Sequence, residues 1–256
     1  PAYSYAWTTV DGSGLVPTDE DQSGLTAGTY DVTVTDINGC TITSSITLTE
    51  PTALTESTIA FTYPSGDNIS CFGLADGSID LTNTDGSPAY SYAWTTVDGS
   101  GLVPTDEDQS GLTAGTYDVT VSDINGCTIT SSITLTEPTA LTESTTAFTY
   151  PSGDNISCFG LADGSIDLTN TDGSPAYSYA WTTVDGSGLV PTDEDQSGLT
   201  AGTYDVTVTD INGCTITSSI TLTEPTALTE STIAFTYPSG DNISCFGLAD
   251  GSIDLT

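Results

Sequence analysis

One 87-residue unit, repeated with almost no change, fills this chain. The string PAYSYAWTTVDGSGLVPTDEDQSGLTAGTYDVTV begins at Pro1, Pro88 and Pro175. Only two positions vary between copies, Thr35/Ser122/Thr209 and Ile59/Thr146/Ile233. Each unit must therefore bury its own core while tolerating identical neighbours, and 87 residues suffice for one small domain. The chain starts inside a repeat, contains no Met and ends at GSIDLT, where the other copies continue with NTDGS. The window is expected to be a cut from a longer array.

Within a period, short alternating runs separated by Gly, Asp, Asn and Pro clusters predict an all-β fold, a sandwich or a barrel. Ser78–Thr82 places Ile79 and Leu81 on one face, and Ala89–Val97 places Tyr90, Tyr92 and Trp94 on one face; the NTDGS turn joins these two consecutive strands. Thr116–Ser122 and Thr128–Thr136 flank Asp123-Ile-Asn-Gly126, a hairpin turn in which Asn-Gly accepts the positive φ required. A further run alternates Thr146, Phe148 and Tyr150. Leu112-Thr-Ala-Gly-Thr-Tyr117 resembles a tyrosine corner, which favours a tandem array of immunoglobulin-like β-sandwiches. Pro51, Pro138 and Pro225 read as boundaries. They give complete repeats at 52–138 and 139–225, the C-terminal part of a repeat at 1–51 and the N-terminal part of one at 226–256. A boundary near Asn68 is the alternative.

The charge is one-sided, with 35 acidic residues against no Lys, Arg or His. Such a chain repels nucleic-acid phosphate and anionic lipid, because it has no cation with which to release counterions. No apolar run approaches the roughly 20 residues that span a bilayer. High charge with modest hydrophobicity also describes disordered chains. Three Trp, twelve Tyr and the regular β-branched alternation argue for a folded one. Without Lys, isopeptide staples cannot form and trypsin has no site.

Six cysteines, two per period, lack CxxC spacing and His partners, so they point to disulfides in an oxidising, extracellular setting rather than to zinc. The expected pairs are Cys71–Cys127 and Cys158–Cys214, which close each domain internally and leave Cys40 and Cys245 to partners outside the window. Pairing of Cys40–Cys71, Cys127–Cys158 and Cys214–Cys245 would instead join successive domains. Loop entropy, about 4 kcal/mol in either scheme, does not choose between them.

No His-based catalytic constellation is possible, and the adjoining Asp106, Glu107 and Asp108 lie in a Gly- and Pro-rich loop with no sign of a pocket. The chain is not expected to be an enzyme. Asp106, Asp108 and Ser110, with Asp193, Asp195 and Ser197 in the next copy, follow the D-x-D-x-S-G opening of a calcium loop. The twelve-residue pattern then fails at Tyr117, so Ca2+ is a candidate ligand set against a plain solvated acidic loop. Tyr90, Tyr92 and Trp94 form either a sugar-stacking stripe or core. Asn68, Asn155 and Asn242 open N-glycosylation patterns.

Read in order, SCFGLADGSID (Ser70–Asp80), PAYSYAW (Pro88–Trp94), LTAGTY (Leu112–Tyr117) and DINGC (Asp123–Cys127) resemble the SprB repeat. The chain departs from it at Thr84-Asp-Gly86 and in the longer Val97–Gly111 stretch. The resemblance implies a giant cell-surface protein of gliding bacteria, exported by type IX secretion and displayed as filaments that act as adhesins. The expected role is a stalk or filament segment. Its partners would be neighbouring repeats, other copies in the filament, and an extracellular surface or polysaccharide. The alternatives are a repeated glycan- or calcium-dependent binding module, and a polymer made by strand exchange between neighbours.

Overall fold

The computed structural model describes residues 2–256, and among them every regular element is a strand. In chain order these are β1 (Tyr3–Thr9), β2 (Gly28–Asp36), β3 (Thr41–Leu48), β4 (Thr55–Ala60), β5 (Gly77–Thr84), β6 (Ser91–Thr96), β7 (Gln109–Leu112), β8 (Gly115–Ser122) and β9 (Thr128–Leu135). They continue with β10 (Thr142–Ala147), β11 (Gly164–Thr171), β12 (Ser178–Thr183), β13 (Gln196–Leu199), β14 (Gly202–Thr209), β15 (Thr215–Leu222), β16 (Thr232–Ala234) and β17 (Ile253–Leu255). Two compact units result. One comprises the chain up to Ala60 with Ser78–Thr134, and the other Phe61–Gly77 with Leu135–Thr256.

The second unit contains one whole copy of the repeating sandwich. Sheet β10-β11-β13 faces sheet β12-β14-β15. Every strand pair in them is antiparallel, with Trp181 opposite Val206 and Val206 opposite Ser218. Alternation drives this arrangement. Along β14, Tyr204, Val206 and Val208 are buried while Asp205 is exposed. Along β11, Ile166 and Leu168 turn inward around the exposed Asp167. These side chains meet Trp181, Leu199 and Leu222 in one core drawn from both sheets. Each fully buried aliphatic side chain contributes about 1.5–3 kcal/mol, offset by the entropy of ordering it.

The strand order is that of an immunoglobulin-like sandwich, A-B-E on one sheet and C-F-G on the other, with the buried Trp on strand C. The first unit repeats it with β4-β5-β7 and β6-β8-β9, and also carries β1-β2-β3. The tyrosine corner is present. Tyr204 donates its hydroxyl to the Thr200 carbonyl at 2.8 Å and accepts from the Ser187 amide at 3.2 Å. Tyr117 does the same with Thr113 and Ser100. A Cβ on Gly186 would lie 2.3 Å from the Tyr204 hydroxyl, so the close approach requires glycine there.

The Asn-Gly hairpin stands as expected, with Gly126 at φ 83° between β8 and β9. The runs at 78–82 and 89–97 are the consecutive strands β5 and β6, joined as expected by the NTDGS turn, which passes from one sheet to the other. Two readings change. The strand expected around Thr146–Tyr150 is β10, which starts earlier and ends at Ala147. Residues 109–112, read as part of an acidic loop, form the short edge strand β7.

Replacing Tyr204 with Phe removes the hydroxyl that donates to the Thr200 and Ser187 carbonyls and is expected to cost about 1–3 kcal/mol. Gly186→Ala should cost at least as much by displacing the ring. Urea unfolding of either variant should show one domain's transition at lower denaturant, with the remaining transitions unchanged.

Candidate functional site

The chain enters the β10–β15 sandwich at one end and leaves it at the other. At the entry end, the Gly173 amide donates to the Thr139 carbonyl and the Ile211 amide to the Ser174 carbonyl. Asp210, 5 % exposed, closes that end. One carboxylate oxygen accepts from the amides of Asn212 and Cys214, and the other from that of Ser174. At the exit end, the amides of Asn155 and Ile156 both donate to the Thr223 carbonyl at 3.0 Å. The Asn155 side chain adds a bond from the Thr223 amide and one to the Phe148 carbonyl. The Glu224 carboxylate takes the Gly160 amide at 2.6 Å. Asn155 is thus consumed as a structural clasp, as Asn68 is between Thr136 and Phe61.

This geometry overturns the expected cysteine pairing. Cys158 sits in the loop clasped at Thr223, and Cys214 precedes the first residue of β15. Eight residues of strand at about 3.3 Å each put these ends about 26 Å apart, whereas a disulfide needs Cα atoms about 4–7 Å apart. Cys158–Cys214 therefore does not form, and neither does Cys71–Cys127, whose cysteines hold the same places in their own period. The bond present is Cys71–Cys214, with Cα atoms 5.7 Å apart, and it lies within the second unit. Cys40, Cys127, Cys158 and Cys245 are free and exposed. Around the bond, the Asn212 side chain donates to the Ser65 hydroxyl at 2.8 Å and the Ser70 carbonyl at 2.9 Å, and it accepts from the Ser65 amide at 3.2 Å.

The acidic loop is spent on the backbone. The Asp108 carboxylate accepts from the Leu81 amide at 3.0 Å, and Asp195 does the same for Leu168. The carbonyls of Asp106 and Asp193 accept from the indoles of Trp94 and Trp181. Ser110 and Ser197 are residues of β7 and β13, not of a loop. Among the described residues, no group of three or more His, Cys, Asp or Glu side chains is placed to hold a metal.

The aromatic stripe is divided. Trp94 is 2 % exposed and belongs to the core, so its face is not open to a sugar. Tyr90 donates to the Asp85 carbonyl. Tyr92 accepts from the Asn83 side chain, and burial together with the Glu107 carboxylate pushes its hydroxyl up to about 12. Asn83 also donates to Glu107. That leaves Asn83 Oδ1 and its cross-strand neighbour Glu56 Oε2 buried without a donor, as are Asn170 Oδ1 and Glu143 Oε2 one period on. Sequence reading missed this cluster because Glu56 and Asn83 become neighbours only through strand register.

Hydrogen bonds from the Ser157 hydroxyl and amide hold Asp163 below the usual carboxylate range, against the opposing pull of desolvation. A carboxylate with a depressed folded pKa stabilises above its unfolded value near 4, and that contribution is lost as pH falls through the folded value. Acidification below about pH 4 should therefore loosen the 157–163 loop first. Amide exchange at Ser157 would read this, and Asp163→Asn should abolish the pH dependence. Glu143→Gln supplies a donor to Asn170 Oδ1 and removes a charge. It should raise the melting temperature in calorimetry, by a stabilisation of about 1 kcal/mol.

Residues 66–99 and 153–186 match the SprB repeat. No curated protein matches the chain. Solved structures that align with the chain include the N-terminal eight Ig domains of Down Syndrome Cell Adhesion Molecule, at 10 % identity and TM-score 0.40 over 87 % of this chain and 33 % of that one. This chain thus spans about a third of that structure's length. Extracellular domains 3–5 of Drosophila OTK align at 10 % identity and TM-score 0.36 over 88 % of this chain and 86 % of that one. Extracellular cadherin domains 3–6 of Protocadherin Gamma B2 align at 13 % and 0.34 over 93 % and 70 %. The strand order, the buried Trp and the tyrosine corner carry the fold independently of these. The two SprB matches fall at equivalent places of successive periods, from the clasped cysteine loop through the Trp strand of the immunoglobulin-like domains.

Proposed function

We propose that the chain is a structural segment of a secreted, surface-displayed adhesin, a stalk whose length is set by the number of repeats. The observation that carries this reading is the path of the chain through one sandwich, entering beside Asp210 and leaving at Thr223. A domain entered at one end and left at the other adds its own length with each period. A domain whose termini lie together adds only bulk. Near-identical copies then give extension and, through weak repeated contacts, avidity.

The surface is in keeping with this role. A net charge of −35 keeps such chains apart and soluble. In the acidic loop Asp108 and Asp195 serve backbone amides and Glu107 and Glu194 serve Asn side chains, which supports a non-catalytic role. Disulfide chemistry supports an oxidising, extracytoplasmic location. The SprB matches support export and display of the type that family resemblance implies.

Small-angle scattering on arrays of increasing repeat number tests the stalk. Its maximum dimension should grow linearly with each added period, whereas growth with the cube root of mass would rule it out. Melting in calcium and in sodium at matched ionic strength should give the same temperature, rising with salt as self-repulsion is screened. A shift of many degrees specific to calcium would instead favour an ion-dependent binding module. Binding of the full chain to a glycan array would favour the same module.

A further inference from the structure

Each sandwich carries one cysteine at each end. The hairpin cysteine stands at the entry end, one residue before the last strand, and the loop cysteine stands at the exit end, on the loop clasped by Thr223. The bond that forms joins the loop cysteine of one period to the hairpin cysteine of the following one, 143 residues later. We infer that this is the general rule of the array: every loop cysteine bonds to the hairpin cysteine of the next period, giving one disulfide per junction.

Three observations carry the rule beyond the single bond. First, the two cysteines of one period cannot meet, so any complete oxidation must run between periods. Second, the seat of the bond is built for the hairpin. Asn212 makes three hydrogen bonds to Ser65 and Ser70, and the Cys214 sulfur lies 3.3 Å from the Ser70 carbonyl. Where a hairpin is not seated, its residues are barer. Ile124 is 70 % and Ile37 78 % exposed, against 48 % for Ile211. Ser70 is buried and Cys71 half-buried, whereas Ser157 is half-buried and Cys158 exposed. Third, the four free cysteines are the ones the rule leaves without a partner in this chain. No residue stands 143 before Cys40 or Cys127, and none stands 143 after Cys158 or Cys245.

Each bond forms when two thiols give up two protons and two electrons to a disulfide-bearing oxidant, which leaves as its dithiol. The bonds overlap along the sequence. A span starting at Cys71 ends at Cys214, but the next span starts earlier, at Cys158. Every peptide bond inside an extended array is therefore bridged, and one backbone cut anywhere leaves the array in one covalent piece. Bonds within single domains would leave residues 128–157 unbridged.

The two variable positions act as mass labels for the test. Without Lys or Arg, the oxidised full chain is digested with a Glu-specific protease. Ser57–Glu107 carries Cys71 with Ile59, and Ser144–Glu194 carries Cys158 with Thr146. Asp108–Glu143 carries Cys127 with Ser122, and Asp195–Glu230 carries Cys214 with Thr209. Cys40→Ser makes the last peptide unique. The expected cross-link joins the Ile59 peptide to the Thr209 peptide, and appending one further period adds a second bond from the Thr146 peptide. A link from Thr146 to Thr209, from Ile59 to Ser122, or from Ser122 to Thr146 would overturn the rule. A protease site inserted between Pro138 and Thr139 gives an independent reading. After cutting, the halves should stay together until reductant is added, and separation without reductant would also overturn it.

Discussion

A chain with 35 carboxylates and no cationic side chain cannot neutralise an acid by pairing it with a base, so the acids that hold its loops do so through N–H and O–H groups. This constraint organises the sandwich. Asp185 takes the Thr203 amide at the start of β14, Asp195 the Leu168 amide, Asp210 three amides at the entry end, Asp163 the Ser157 amide and hydroxyl, and Glu224 the Gly160 amide. In a basic or mixed-charge domain these amides could be satisfied by neutral acceptors. Here the acids do that work, and charge-assisted bonds to backbone N–H are the stronger kind. What looks from composition like a burden of self-repulsion is in part the set of pins that fixes the loops.

The pins also explain which parts of the fold were legible in the sequence. Core strands announce themselves through alternation, as in Tyr204-Asp-Val-Thr-Val208, and the tyrosine corner shows in Ala-Gly-Thr-Tyr because the glycine and the tyrosine are both local. The strand β13 did not show, since Gln196-Ser-Gly-Leu199 has neither β-branched residues nor alternation. It becomes a strand because Asp195 and Gln196 anchor it against β11 and the 190–193 turn. Likewise the D-x-D-x-S-G spacing is a true pattern of residues with a different use. The Asp195 carboxylate takes an amide of the neighbouring strand, the Asp193 backbone carbonyl accepts from the Trp181 indole, and Ser197 is a ladder residue.

The aromatic strand makes the same point from the other side. Tyr179 and Trp181 share a face by spacing, yet the first ends in a polar cluster with Asn170 and Glu194 and the second lies in the core. Periodicity assigns a face of a strand. It does not assign depth along it, because depth depends on where the opposing sheet ends.

The cysteines were the feature least accessible from sequence, for a reason that energetics makes plain. Closing the 143-residue span rather than a 56-residue one changes the loop-entropy stabilisation by only about 0.8 kcal/mol, too little to decide a pairing. Position decides it instead. The same Asp210 and Thr223 contacts that set where the chain enters and leaves the sandwich also carry the two cysteines to opposite ends. A device that adds length by separating its termini thus separates its thiols as well, and within a period each thiol is out of the other's reach. The covalent link to the following repeat and the extension proposed for the array then have one structural origin, the through-running path of the chain in a single domain.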